Sequence, residues 1–208
     1  LQTFCSEDLG GFYLDILKDR LYTSATNAKA RRAAQSALWQ ITWTFVKLIA
    51  PILSFTAEEA WRTVHGEEDS VMLHTWQPLS APEGEAALLD KWAKIRAWRA
   101  EVTKALEELR VEGKIGSSLQ AEVTLYADGE KYDLLSSLGD DLRFVLIASQ
   151  ARVVQSGEEK IECAPLGHAK CERCWHVRAD VGADPAHPEL CGRCVSNLHG
   201  KGETRACA

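Results

Sequence analysis

Four cysteines towards the C-terminal side carry the most specific chemistry in this chain. Cys171 and Cys174 form one Cys-x-x-Cys pair, Cys191 and Cys194 form a second, and sixteen residues separate the two. The two-residue spacing lets both sulfurs of a pair turn toward one ion, and four thiolates complete a tetrahedron of zinc–sulfur bonds of about 2.3 Å. The pairs sit in a Gly- and Pro-containing stretch, not at the strand-to-helix turn where a redox pair belongs. A site closed by four thiolates leaves no open coordination position, and its net charge of about −2 makes the ion a poor Lewis acid. The expectation is one structural Zn2+ ion. His168, His176, His187 and His199 are near enough in sequence to substitute as ligands, but four cysteines suffice, so these histidines are expected on the surface.

Cationic and aromatic residues surround those cysteines. Arg173 and Arg193 lie inside the two pairs, Trp175 follows the first, and Lys170, Arg178, Lys201 and Arg205 flank them. Some of these arginines would simply neutralise the anionic cluster. The others suggest a phosphate-contacting surface, with Trp175 available to stack on a base or to pack under the knuckle, of which packing is expected. A second basic stretch, residues 18–32, carries Lys18, Arg20, Lys29, Arg31 and Arg32 against Asp19 alone. The net charge of −6 argues only weakly against a polyanionic partner when the cations are this unevenly placed. No catalytic set accompanies them: there is no Gly-rich phosphate loop, His-Glu helix motif or nucleophile elbow. The pairs Glu58 and Glu59, and Glu107 and Glu108, are adjacent on helices and point in different directions, as solvated faces do. No catalytic residue is expected.

The elements that must position these groups follow from pattern. With 208 residues, 46% hydrophobic and 26% charged, the chain can bury a real core. No apolar run reaches the roughly 20 residues that span a bilayer; the most apolar, residues 45–55, is interrupted by Lys47 and broken by Pro51. An odd total of seven cysteines, with Cys5, Cys163 and Cys207 scattered, argues for a reducing compartment and a metal rather than a disulfide framework. The chain opens without Met or a signal-peptide layout, as expected of a piece of something longer.

Apolar residues at helical period predict a helix over 11–22, a long one over 28–49 ended by Pro51, and another restarting near residue 54 with a Thr56/Glu59 capping box. Leu88, Trp92, Ile95, Val102, Leu106 and Leu109 predict a helix over 83–112 with Arg99 interrupting its seam. Alternation predicts strands at 121–127 and 151–155, with short helical pieces between them. The fold class is thus mainly α with a small α+β part. Residues 1–112 are expected as a helical domain with a long connecting helix, 113–158 as a small α+β linking domain, and 159–208 as a four-cysteine zinc-ribbon module. That last part is too poor in large aliphatics to fold without a crosslink.

The order of these pieces has a familiar form. "GFYLDILKDRLYTS", "ALWQITWTFVKLIAPILSFTAEEAWRTV", "KIGSSLQAEVTLYADGE", "LGDDLRFVLIASQARVV" and "CERCWHVRADVG…LCGRCVSNLHGKGE" resemble the C-terminal end of bacterial-type isoleucyl-tRNA synthetases, over essentially the whole chain. The first blocks alone would fit other class I synthetases; the four-cysteine tail narrows the resemblance to the isoleucine enzymes. It implies an anticodon-binding helical domain, a linking domain and a zinc domain. It further implies a parent that joins isoleucine to its tRNA(Ile) using ATP and edits mischarged valine, acting as a cytoplasmic monomer without membrane contact.

The HIGH and KMSKS signatures for ATP do not occur in these residues. The resemblance therefore implies that ATP belongs to the catalytic domain of the full-length chain and that this chain alone does not aminoacylate. Lys18, Arg20, Arg31 and Arg32, with Arg173, Trp175, Arg178, Arg193 and Lys201, are the implied tRNA contacts. Two other readings stay open: a DNA-binding fragment similar to formamidopyrimidine-DNA glycosylases, which end in a related four-cysteine ribbon, and a zinc module that docks another protein.

Overall fold

A computed structural model describes residues 1–206. Cys207 lies outside the described residues. The chain divides into two compact units, one formed by residues 1–31 with 86–208 and the other by residues 32–85.

The 32–85 unit is built on two helices. Helix α2, Lys29–Ile49, enters it from the first unit, and α3 runs from Ser54 to His65. Pro51 ends α2 as the sequence predicts, because proline has no N–H to continue the ladder. The Thr56/Glu59 capping box does not form: α3 already starts at Ser54, so Thr56 lies inside it. Glu58 is the acid that makes the local bonds, accepting from Ser70 Oγ at 2.9 Å and from the Val71 N–H at 3.1 Å. The core is Val46, Ala50, Ala57, Trp61 and Val71, with Trp43 packed against it. Trp61 is buried, and its indole N–H donates to Asp69 at 3.0 Å. Lys47, the charge that interrupts the apolar run, is buried as well. Its ammonium donates to the Thr75 carbonyl at 3.2 Å and stands 4.7 Å from the centre of the Trp43 ring.

In the other unit, a π-helical segment over Phe4–Leu14 leads into α1, Asp15–Thr23. Helix α4 spans Glu85–Val111 and buries Ile95, Val102 and Leu106. Gly113 follows at φ +73°, a left-handed turn that glycine adopts without steric cost. Strand β1, Ala121–Ala127, alternates strictly, with Ala121, Val123, Leu125 and Ala127 buried. It is the middle strand of three, parallel to β2 (Gln150–Gln155) and antiparallel to β3 (Lys160–Pro165). A parallel pair needs a crossover; here it is α5, Gly129–Ser136, and the short α6, Leu142–Leu146. One core joins α4, β1 and these crossover helices through Leu135, Leu142, Phe144 and Val145.

Two features depart from the sequence pattern. Leu88, placed on the α4 seam by its spacing, is exposed. Residues 160–165, grouped by composition with the cysteine-rich tail, instead complete the sheet as β3. Cys163 on β3 pairs across to Val123, and burial pushes its thiol up to about 11, so it stays protonated and inert. The cysteine-rich part itself holds the short β4 (Ala169–Lys170) and β5 (Val177–Arg178) hairpin and α7, Gly192–His199.

Candidate functional site

The four paired cysteines converge. Their Sγ atoms all lie within 4.8 Å of one another, and all four residues are buried. Cys174 Sγ and Cys191 Sγ are 3.7 Å apart, close to the edge of about 3.8 Å that a tetrahedron of ~2.3 Å bonds requires. Backbone bonds shape the two knuckles. The Trp175 N–H donates to the Cys171 carbonyl and the Cys171 N–H to the His176 carbonyl, both at 2.9 Å. Cys191 caps α7, and its N–H donates to Cys171 Sγ at 3.3 Å. Gly192 sits close to Asp180: a Cβ there would lie 3.0 Å from Asp180 Oδ2, the oxygen its own N–H bonds at 3.2 Å, so a side chain would press on that carboxylate.

The electrostatics of the thiols also fit a metal. Hydrogen bonds from Cys174 and Cys194 hold the Cys191 thiol down to about 3, while those from Cys174 and Cys191 push Cys194 up. Four sulfurs this close cannot all ionise unless a cation takes their charge, and a tetrahedrally bound dication does that. With every ligand position filled by protein, the ion's contribution is structural.

The cations inside the knuckles turn inward. Arg173 donates to the last carbonyls of α1, 2.6 Å to Thr23 and 3.2 Å to Tyr22. Arg193 is buried and pairs with both oxygens of Asp19, at 2.7 Å each. Arg205 joins the same carboxylate and Glu203, and its guanidinium stands 3.7 Å over the Phe144 ring. Glu203 also accepts from Asn197 at 3.0 Å. Burial opposes the charge on Asp19, but hydrogen bonds from Arg193 and His176 and the nearby guanidiniums hold its carboxyl far below the usual carboxylate range. Burial likewise opposes the charge on Arg193, and Asp19 keeps it protonated. Removing one partner from such a buried pair costs about 3–5 kcal/mol, because a charge is left without compensation.

The other sequence-selected residues are spread between burial and solvent. Arg178 is half-buried and forks onto Asp180 at 2.8 and 3.2 Å. Trp175 is 61% exposed at φ +64°, so it does not pack under the knuckle; the left-handed backbone turns its ring outward, with Lys170 Nζ 5.2 Å from the ring centre. Lys201 is exposed, as is Lys18, which pairs with Asp15 at 2.9 Å. Arg20 is half-buried, Arg31 reaches the Ser24 carbonyl at 3.4 Å, and Arg32 is exposed at the start of the second unit. His176 is not a surface histidine: it is buried, edge-on to Phe144 and 3.5 Å from Asp19. His168 and His199 are exposed, and His187 stacks on His199 at 4.3 Å.

Sequence reasoning passed over Asp19 and Glu203, which organise this network. The available signal was Asp19's position as the lone acid of the basic 18–32 stretch.

Comparison with known proteins accords with this geometry. Residues 1–125 match the family model described as the anticodon-binding domain of tRNA ligase, and residues 170–197 match the zinc finger found in FPG and IleRS. The isoleucine–tRNA ligase of Dechloromonas aromatica (strain RCB) is 64% identical over 209 aligned residues, covering 100% of this chain and 22% of that protein. That of Thiobacillus denitrificans is 63% identical over 99% of this chain and 22% of its own length, and that of Azoarcus sp. is 58% identical with the same coverage. The chain thus spans about a fifth of the length of the relatives it matches. The zinc-finger match and the four converging thiols together assign one structural zinc ion to Cys171, Cys174, Cys191 and Cys194. With more than half its length in the matched model, the chain belongs to the family of anticodon-binding domains of tRNA ligases.

Proposed function

We propose that this chain is the anticodon-side, tRNA-binding part of an isoleucine–tRNA ligase that attaches isoleucine to tRNA(Ile) with ATP. The catalytic and editing steps belong to the rest of the polypeptide, so these residues alone grip RNA and perform no chemistry. The observation that carries this reading is the match of residues 1–125 to the anticodon-binding model in the same chain as the zinc finger. The zinc finger by itself would fit a DNA-repair glycosylase equally well; the helical match favours tRNA. In this reading 1–112 is the anticodon-binding domain, 113–158 together with strand β3 the linking domain and the rest of 159–208 the zinc domain, in a monomeric cytoplasmic enzyme. No helix among the described residues is long and apolar enough to cross a membrane.

In the first unit, exposure supports Trp175, Lys201 and Lys18 as direct RNA contacts, with Trp175 offering its ring to a base and the lysines meeting phosphates; in the second unit, Arg32 is exposed for a phosphate contact of its own. Arg20, Arg31 and Arg178 are half-buried and would contribute field more than direct contact. Arg173 and Arg193 face α1. The test is a titration of the zinc-loaded chain with an isoleucine tRNA transcript and with a DNA duplex of equal length at several salt concentrations. Tighter tRNA binding that weakens steeply with salt is expected. Equal or better binding to the duplex would move the assignment to DNA.

A further inference from the structure

Both arginines inside the cysteine pairs bond to α1, Arg193 buried and Arg173 half-buried. From this we infer that Arg173 and Arg193 form a zinc-set clamp on α1, making them positioning residues rather than phosphate contacts. The inference rests on the tRNA-binding reading above and extends it: the metal determines where α1, and the basic stretch it begins, is held beside Trp175.

The covalent arrangement is what ties the clamp to the metal. Each arginine lies immediately before the second cysteine of its pair, so the ion that gathers the four sulfurs also fixes where the two guanidiniums emerge. Arg173 closes the C-terminal end of α1, where the Tyr22 and Thr23 carbonyls have no partner within the helix and the helix dipole is negative. Arg193 engages Asp19 one turn earlier, with the bidentate geometry that guanidinium and carboxylate favour. Arg205 and Glu203 complete the pairing: Glu203 bridges Arg193 at 3.3 Å and Arg205 at 3.1 Å, and lies 3.4 Å from Ser24 Oγ just past α1. The side chain of Arg193 is 5% exposed, which leaves no room for a phosphate. Between the two contacts, α1 is gripped at its end and through Asp19, while Lys18 faces solvent. The bonds of both arginines to α1, and the burial of Arg193, therefore separate the knuckle cations into inward and outward sets.

The experiment compares the zinc-loaded chain, its chelated form, the double variant Arg173→Ala/Arg193→Gln and the single variant Asp19→Asn. Zinc content, amide exchange of residues 19–24 and the salt dependence of isoleucine-tRNA binding are measured on each. Both variants are expected to keep one zinc per chain, yet to exchange at residues 19–24 at least tenfold faster, as the chelated native chain does. Their tRNA affinity is expected to fall about tenfold with an unchanged salt slope, because no phosphate contact is lost. A salt slope reduced by about two in the double variant would instead make these arginines phosphate ligands. Exchange at 19–24 unaltered in both variants would also overturn the clamp. Should the double variant lose its fold, Asp19→Asn keeps both arginines and decides the exchange question alone. Should the native chain bind no tRNA, the exchange and zinc measurements still decide the clamp, and only the RNA reading falls.

Discussion

At residue scale, the knuckle turn at Trp175 is left-handed and leaves the ring mostly in solvent. A left-handed backbone costs an L-residue about 1–2 kcal/mol, and the indole it carries is mostly in solvent with Lys170 over its face. An arrangement that disfavours the free protein is expected where the ring meets something else, and base stacking contributes about 1–3 kcal/mol per base. Asparagine tolerates the left-handed turn, so Trp175→Asn is expected to keep one zinc and an unchanged or higher melting temperature. Its affinity for isoleucine tRNA should be about tenfold lower. A ring that packed the module would give the opposite pattern, with stability reduced and tRNA affinity following it; unchanged affinity in a stable variant would remove Trp175 from the interface.

Among the elements, α4 shows both what local pattern reveals and where it stops. Its apolar period is readable because each seam residue meets the same core, and Arg99 stands out as the missing member. The pattern cannot say what replaces the missing apolar contact. In the fold Arg99 Nε donates to the Val145 carbonyl at 2.9 Å and its NH2 group to Asp15 at 3.0 Å, tying α4 to α6 and α1. Arg99→Met keeps the length and apolar stem but leaves the Val145 carbonyl without its donor and Asp15 with Lys18 alone, a loss of about 1–3 kcal/mol. Thermal unfolding should register it as a lower melting temperature, and an unchanged value would show that solvent satisfies both groups.

The same division explains the rest of the chain. Strand β1 is legible because one of its faces is wholly buried, and the zinc ligands because a two-residue spacing is a local geometric requirement. The pairing of Arg193 with Asp19 spans 174 residues of sequence, and no local pattern encodes it. Strand β3 escaped because its alternation is short and continues straight into the cysteine-rich tail.

For the whole molecule, the two compact units differ in what holds them. The 32–85 unit has its own core around Trp61, with a buried indole and a buried Lys47 whose polar atoms are satisfied within the unit. The cysteine-rich part of the other unit has little beyond the four cysteines, with Val181 and Leu190 packed against them. A structural zinc of this kind contributes about 10–16 kcal/mol to folding, far more than so small an apolar cluster supplies. Removing the metal is therefore expected to unfold locally: amide exchange should rise across residues 169–199 and along α1 through the clamp, while residues 43–61 keep their protection. The α4–β1 core, built from Ile95, Val102, Val123 and Leu125, should respond weakly, since none of its packing involves a cysteine ligand. Exchange measured before chelation, after it, and after zinc is returned checks this directly. Loss of protection in both units at once would mean that the metal supports a single cooperative fold, and that the independence of the 32–85 core is wrong.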